Sequence, residues 1–234
     1  MEGLFPKPII RLVGDRGVLV EYGNTISQEI NRKVRTVAVA LNLEMPEGIV
    51  EVIPTYRSLL IIYDPLIISL NGVERELESI EDRLDGLDIP LPRTVEIPVL
   101  YGGEYGPDIE FVAHTHNLTV DDVVRIHSGT IYQIYMIGFT PGFPFLGGLP
   151  EVLHTPRVET PRALVPAGSV GIANNQTGMY PIDSPGGWRL IGRTPLKLFD
   201  PSKEDPFRYS AGDMIRFVPI SADEYNRILS ERNA

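Results

Sequence analysis

The run LDIPLPRTVEIPVLYGG, residues 87–103, places three prolines where no helical period can form, and the sequence patterns on its two sides differ. Proline fixes φ and removes a backbone donor, so such a run ends whatever element precedes it. Upstream, strand-like runs alternate with amphipathic helical ones; downstream, short apolar runs stand between glycine and proline turns. A chain patterned this way is expected to form two domains, at 1–90 and 91–234, with the boundary near Asp88 to Thr94.

Within the first part, IIRLVGDRGVLVEYG predicts a strand pair turning at Gly14-Asp15-Arg16-Gly17. A helix follows. Thr25 and Gln28 have capping-box spacing, and Ile26, Ile30, Val34, Val37, Ala38 and Leu41 fall on one helical face. GIVEVIPTYRSLLIIYDP supplies two more strands around Pro54 to Ser58, and a second helix is predicted from Asn71 to Leu84, with Gly86 as its C-terminal cap. The expectation is a small α+β domain of ββαββα order.

The second part predicts mainly β structure. TIYQIYMIGF, ALVPAGSVGIA, WRLIG, PLKLF and DMIRFVP are apolar runs of strand length, a pattern that suits a barrel or sandwich. Two helices interrupt it, one from Thr119 to His127 capped by Thr119 with Asp122, the other opening at Ser221 with Glu224.

Composition removes several function classes. The chain has no cysteine, so thiolate, disulfide, zinc-ribbon and iron–sulfur chemistry are excluded. Its formal net charge of -10 argues against nucleic acid as the main partner, since a phosphate backbone needs a positive field. No apolar run approaches the roughly 20 residues of a membrane span, and Met1 to Pro8 lacks a secretory signal pattern, so no membrane contact and a cytoplasmic location are expected. P-loop, dinucleotide, nucleophile-elbow and His-Glu-x-x-His signatures are all missing.

The candidate chemistry clusters between residues 138 and 197. GFTPGFPFLGGLP, residues 138–150, has four glycines and three prolines around Phe139, Phe143, Phe145 and Leu146, which predicts a shaped apolar loop at a pocket mouth or a partner interface. From 138 to 192 lie 10 of the 22 glycines and only Glu151, Glu159 and Asp183 as carboxylates, while Arg157, Arg162, Arg189, Arg193 and Lys197 leave the region locally positive. Arginine forks and glycine-freed amides are anion-binding chemistry. Arg162, Arg193, Gly168, Gly186 and Gly187 are the candidates, with Ser169, Thr177, Tyr180 and Ser184 as hydrogen-bonding neighbours. The alternative is that the arginines pair with Glu159 and Asp183 and the glycines only make turns. Trp188 is expected to pack. No metal site is expected: His114 and His116 would share a face on a strand, but a third ligand is lacking. His127 is a weak candidate for proton transfer, against a plain helix-end role.

GFTPGFPFLGGLP, TPRALVPAGSVGIANNQTGMYPIDSPGGWRLIGRTPLKLFDP and AGDMIRF closely resemble the family of the kinase inhibitor KipI, the PxpB component of ATP-dependent 5-oxoprolinase and allophanate hydrolase subunit 1. They also resemble part of the carboxyltransferase domain of urea carboxylase. The resemblance implies a smaller N-terminal α+β domain followed by a cyclophilin-like barrel. It also implies a related cyclophilin-like second subunit and a third oxoprolinase component, ATP with Mg²⁺ held on this chain or a partner, and hydrolysis of 5-oxo-L-proline to L-glutamate with no activity alone. Biotin-dependent carboxyl transfer and inhibition of a histidine kinase are the other activities that the resemblance implies.

Overall fold

The structure, a computed structural model, describes residues 3–84 and 91–233. Two compact units emerge, Met1–Leu91 and Pro92–Ala234. The predicted boundary at residue 90 and the Gly86 cap lie outside the described residues.

In the first unit, strands β1 (Leu4–Val13), β2 (Gly17–Gly23), β3 (Ile49–Pro54) and β4 (Ser58–Tyr63) form an antiparallel sheet of order β1-β2-β4-β3. Helices α1 (Gln28–Glu44) and α2 (Leu70–Glu81) supply its core partners. The α1 face Ile30, Val34, Val37, Ala38 and Leu41 is buried as its spacing predicts, but Ile26 is exposed because the helix starts later. The cap is Ser27, whose hydroxyl accepts from Ile30 N at 3.2 Å, rather than Thr25. Helix α2 ends at Glu81, short of Leu84, with tighter turns following: Arg83 N donates to Ile80 O.

The second unit contains a closed barrel of seven strands in the order β10-β7-β6-β13-β5-β12-β9. Their ranges are β5 Thr94–Tyr101, β6 Ile131–Ile137, β7 Pro144–Gly147, β9 Ser169–Ala173, β10 Gln176–Met179, β12 Arg189–Arg193 and β13 Met214–Pro219. Strands β8 (Arg162–Val165) and β11 (Ser184–Gly186) pair as a separate ribbon. Closure removes free sheet edges from the barrel, and only the β5–β13 pair is parallel. Pro98 is tolerated within β5 because β12 pairs with that strand only at Leu100 and Tyr101.

Helices α3 (Ile109–Thr115), α4 (Val120–Ser128) and α5 (Ala222–Asn233) complete the unit. The Thr119/Asp122 capping box forms at α4 as its spacing predicts. One conditional reading does not apply and one expected strand is absent. The segment carrying His114 and His116 is the end of α3, not a strand, so the two imidazoles do not share a face; His116 Nε2 instead meets Thr155 Oγ1 at 3.1 Å. PLKLF is not a strand either: Leu198 is buried and Phe199 forms an isolated bridge with Phe207, so the segment packs on the core without a ladder.

Candidate functional site

Side chains on the barrel strands alternate between two environments, as strand geometry requires. Val170 and Ile172 of β9 and Ile191 of β12 enter the main core, whereas Ala173 of β9 and Leu190 of β12 join a second cluster with Phe143, Val165, Tyr180 and Trp188. That second cluster lies on the outer face of the barrel wall, where the β8–β11 ribbon contributes Val165 to it.

An open cleft of about 210 Å³ sits on this cluster, lined by Phe139, Phe143, Phe145, Arg157, Tyr180, Gly186, Gly187 and Trp188. Its rings are interlocked: Phe143 meets Tyr180 and Trp188 edge-on at centroid distances of 5.4 Å each, and packs tilted on Phe145 at 5.0 Å. Edge-to-face pairs of this kind hold ring orientation as well as bury area. Gly178 lets them approach the wall, since a Cβ there would meet Trp188 Cζ3 at 3.1 Å and Phe143 Cζ at 3.2 Å. Gly186 is equally constrained, because its Cβ would collide with the Tyr180 hydroxyl at 2.5 Å. At the rim, Phe139 is 69% exposed and has φ of 65°, a left-handed conformation that a bulky residue rarely adopts.

Arg157 is the cleft's cation. Its Cζ stands 6.0 Å from the Trp188 ring centroid, and no carboxylate lies within 4.0 Å of it among the described residues. Burial raises the Tyr180 phenol above its ordinary pKa, opposed by the Trp188 backbone and by the Arg157 and Arg162 guanidiniums, so the phenol stays protonated.

Arg162, by contrast, is committed to the fold. Its Nη2 donates to both carboxylate oxygens of Asp108 at 2.8 Å, and Nη1 reaches Trp188 O at 3.2 Å. Asp108 also accepts from Leu190 N at 2.7 Å, so neither Glu159 nor Asp183 is the partner. Arg193 stands over the Tyr105 ring at 5.4 Å and does not line the cleft. Gly168, with φ of 83°, donates its amide to Tyr180 O at 2.7 Å as part of the β8–β9 turn. Ser169 and Ser184 are buried with hydroxyls that lack hydrogen-bond partners among the described residues. Neither lines the cleft.

His127 and Thr177 lie together, but in the barrel core. His127 is completely buried, stacked on Phe217 at 4.6 Å, with Nδ1 2.8 Å from Tyr101 Oη and Nε2 2.8 Å from Thr177 Oγ1. Thr177 gives its hydroxyl proton to Gly171 O at 3.0 Å, so it accepts from His127 Nε2–H, and Nδ1 in turn accepts from the Tyr101 hydroxyl. Burial lowers the His127 pKa to about 3, which keeps it neutral. Every polar atom of the trio has a partner, and none faces the cleft. Leu146 also points into this core, opposite to Phe145 on β7.

Thus the cleft unites Phe139, Phe143, Phe145, Tyr180, Gly186 and Gly187 from the predicted set and leaves out Arg162, Gly168, Ser169, Thr177, Ser184, Arg193, His127 and Leu146. The sequence reading missed Arg157 as a site residue. Its signal was faint: a cation in a stretch poor in carboxylates.

The chain belongs to the carboxyltransferase domain family, subdomain C and D, whose family model matches residues 8–209. It is 42% identical over 234 residues to the 5-oxoprolinase B component of Bacillus subtilis (strain 168), covering 96% of this chain and 98% of that protein. To the urea amidolyase of Lachancea kluyveri it is 29% identical over 262 residues, covering 97% of this chain but 14% of that protein. The crystal structure of TTHA0988 matches with a TM-score of 0.78 and 39% identity, over 88% of this chain and 40% of that one. Among the described residues no helix is long and apolar enough to cross a membrane.

Proposed function

We propose that this chain is the B-type component of a 5-oxoprolinase, opening the lactam of 5-oxo-L-proline to L-glutamate in an assembly with a related cyclophilin-like subunit and a third component. The near full-length likeness to a 5-oxoprolinase component of that type supports the class of assembly. The observation that carries the site is the outer cleft, three aromatic walls with one guanidinium free of any carboxylate among the described residues. Drug-sized ligands occupy pockets of roughly 300 to 1,000 Å³. A cleft of about 210 Å³ suits something smaller, and a lactam ring bearing one carboxylate has the required shape and charge.

In this reading the ring packs against Phe143, Phe145 and Trp188, and Arg157 takes the carboxylate by charge-assisted hydrogen bonds. The neutral Tyr180 hydroxyl is a donor within the same cleft, and Gly186 and Gly187 keep its wall low. Phe139 at the rim forms part of the partner contact that closes the cleft, because an exposed ring held in a left-handed backbone is costly unless something uses it. ATP with Mg²⁺ does not fit this cleft. The cleft is small and offers one cation to a chain of phosphates. The phosphates are therefore assigned outside this cleft, and the cytoplasm is the expected location.

Glutamate release from 5-oxoproline in the presence of ATP tests this, measured for the chain alone, its partner subunits alone and the reconstituted mixture. Activity in the mixture only is expected; silence from a verified complex would overturn the proposal. The relation to a urea amidolyase favours a second reading, a biotin-dependent carboxyl-transfer module. That reading predicts turnover dependent on a biotinylated carrier, which the oxoprolinase reading does not.

A further inference from the structure

A second pocket, of about 510 Å³, lies apart from the cleft and is lined by Lys197, Asp200, Lys203, Asp205, Phe207, Arg208 and Arg232, with Pro206. In a chain of net charge -10, four cations facing two carboxylates is a reversal of the prevailing field. Pairing concentrates this excess on three side chains. Asp200 is consumed by Ser202, which donates through N and Oγ at 3.2 and 2.7 Å, and by Lys197 at 2.9 Å; these contacts lower its pKa to about 2. Lys203, Arg208 and Arg232 then face only Asp205.

The two guanidiniums are positioned in advance. Arg208 Nε donates to Lys197 O at 2.7 Å and Arg232 Nη1 to Pro195 O at 2.9 Å, so one backbone segment steadies both forks while other N–H groups remain for a ligand. Phe207, 37% exposed and stacked on Phe199 at 5.4 Å, adds a flat apolar wall. This wall connects to the cleft. A Cβ on Gly142 would meet Phe207 Cδ1 at 3.2 Å, and Tyr209 Oη donates to Gly142 O at 2.7 Å. Gly142 belongs to the same turn as Phe139 and Phe143, so the wall of one pocket supports the rim of the other.

We propose that this basic pocket binds a polyphosphate group, whether the tail of a nucleotide or an inorganic polyphosphate. Two steadied forks and a flexible ammonium match the several oxygens of such a group. An aromatic wall beside them suits a base, which makes a nucleotide distinguishable from the inorganic ion.

Calorimetric titration of the whole chain with inorganic tripolyphosphate and, separately, with ATP tests the proposal. Saturable binding is expected with both probes, weakening as salt rises. The Arg208→Gln/Arg232→Gln double variant should lose at least about tenfold in affinity, with Lys203→Gln losing less. Lys203 is exposed, so its variant keeps the test independent of folding. Arg157→Gln in the cleft should leave tripolyphosphate binding unchanged. Tighter binding of ATP, lost in Phe207→Leu, would identify a nucleotide; equal affinities would identify the inorganic group. No saturable heat with either probe, or affinities untouched in the double and Lys203 variants, would overturn the proposal. Because the readout is binding by the isolated chain, it stands or falls separately from the oxoprolinase reading.

Discussion

Thr177 and Tyr180 stand close together in sequence, at β10 and just beyond it, yet the barrel wall sends them into opposite settings. On the inside, Thr177 belongs to a closed circuit with His127, Tyr101 and Gly171 O in which each donor has an acceptor. On the outside, Tyr180 borders a cleft where Arg157 has no carboxylate partner among the described residues and Phe139 stands exposed in a left-handed backbone. A satisfied network has nothing left to offer a ligand, whereas an exposed cation with no carboxylate partner among the described residues, beside apolar rings, does. The same contrast separates Arg162, held by Asp108, from Arg157.

The largest test of this contrast is Phe143→Ala. The ring is 2% exposed and touches four other aromatic rings, so its loss should lower stability by about 3–5 kcal/mol in denaturant titrations. A change below about 1 kcal/mol would mean that the outer cluster does not hold the fold together. Asp108→Ala comes next, at about 3 kcal/mol, because it strands Arg162 and Leu190 N; Arg162 is partly exposed, which keeps the figure at the lower end. Equal melting temperatures for Asp108→Ala and the unaltered chain would place Arg162 alongside Arg157 as an uncommitted cation.

His127 sharpens the comparison through pH. Its pKa in the folded state lies near 3, below the ordinary 6.5, so below pH 6.5 the unfolded chain binds a proton that the native one refuses. Stability is complete above that value and should fall by up to ~1.4 kcal/mol per pH unit as the pH drops from 6.5 towards 3. His127→Gln should lose that component of the slope while turnover at neutral pH changes little. An unchanged slope would show that the imidazole is not the group refusing the proton. The smallest stability effect is expected for Phe139→Gly, under ~0.5 kcal/mol, since the ring is exposed and glycine accepts the positive φ. Its expected cost is in assembly, read by sedimentation with the partner subunits; unimpaired assembly would remove Phe139 from the interface.

What could be read from the sequence was what local chemistry determines. The capping box at Thr119 needs only Asp122, and the α1 face needs only its own spacing, so both were visible in the string. Strands such as β6 and β13 were visible as short apolar runs. Helix α3 was not: seven residues are too few to establish a period, although Ile109, Val112 and Ala113 do mark its buried face. The loop aromatics were legible as a group, because apolar rings among glycines and prolines must be either wedged or used. The choice among arginines was not legible, since Arg162 is claimed by a carboxylate 54 residues upstream and no local pattern announces that pairing. Thr177 and His127 were misplaced for the same reason: they bond each other across 50 residues and His127 also meets Tyr101 of β5, 26 residues away, so no local pattern announces the trio.

The most direct measurement is kcat/KM for 5-oxoproline in the reconstituted assembly carrying Arg157→Gln, with the melting temperature of the variant chain determined alongside. The account predicts a loss of about a hundredfold or more, carried mainly by KM, with the melting temperature unchanged, as expected for a charge-assisted contact made to the ligand and not to the fold. Full turnover by a correctly assembled Arg157→Gln enzyme would contradict it and would remove the outer cleft as the substrate site.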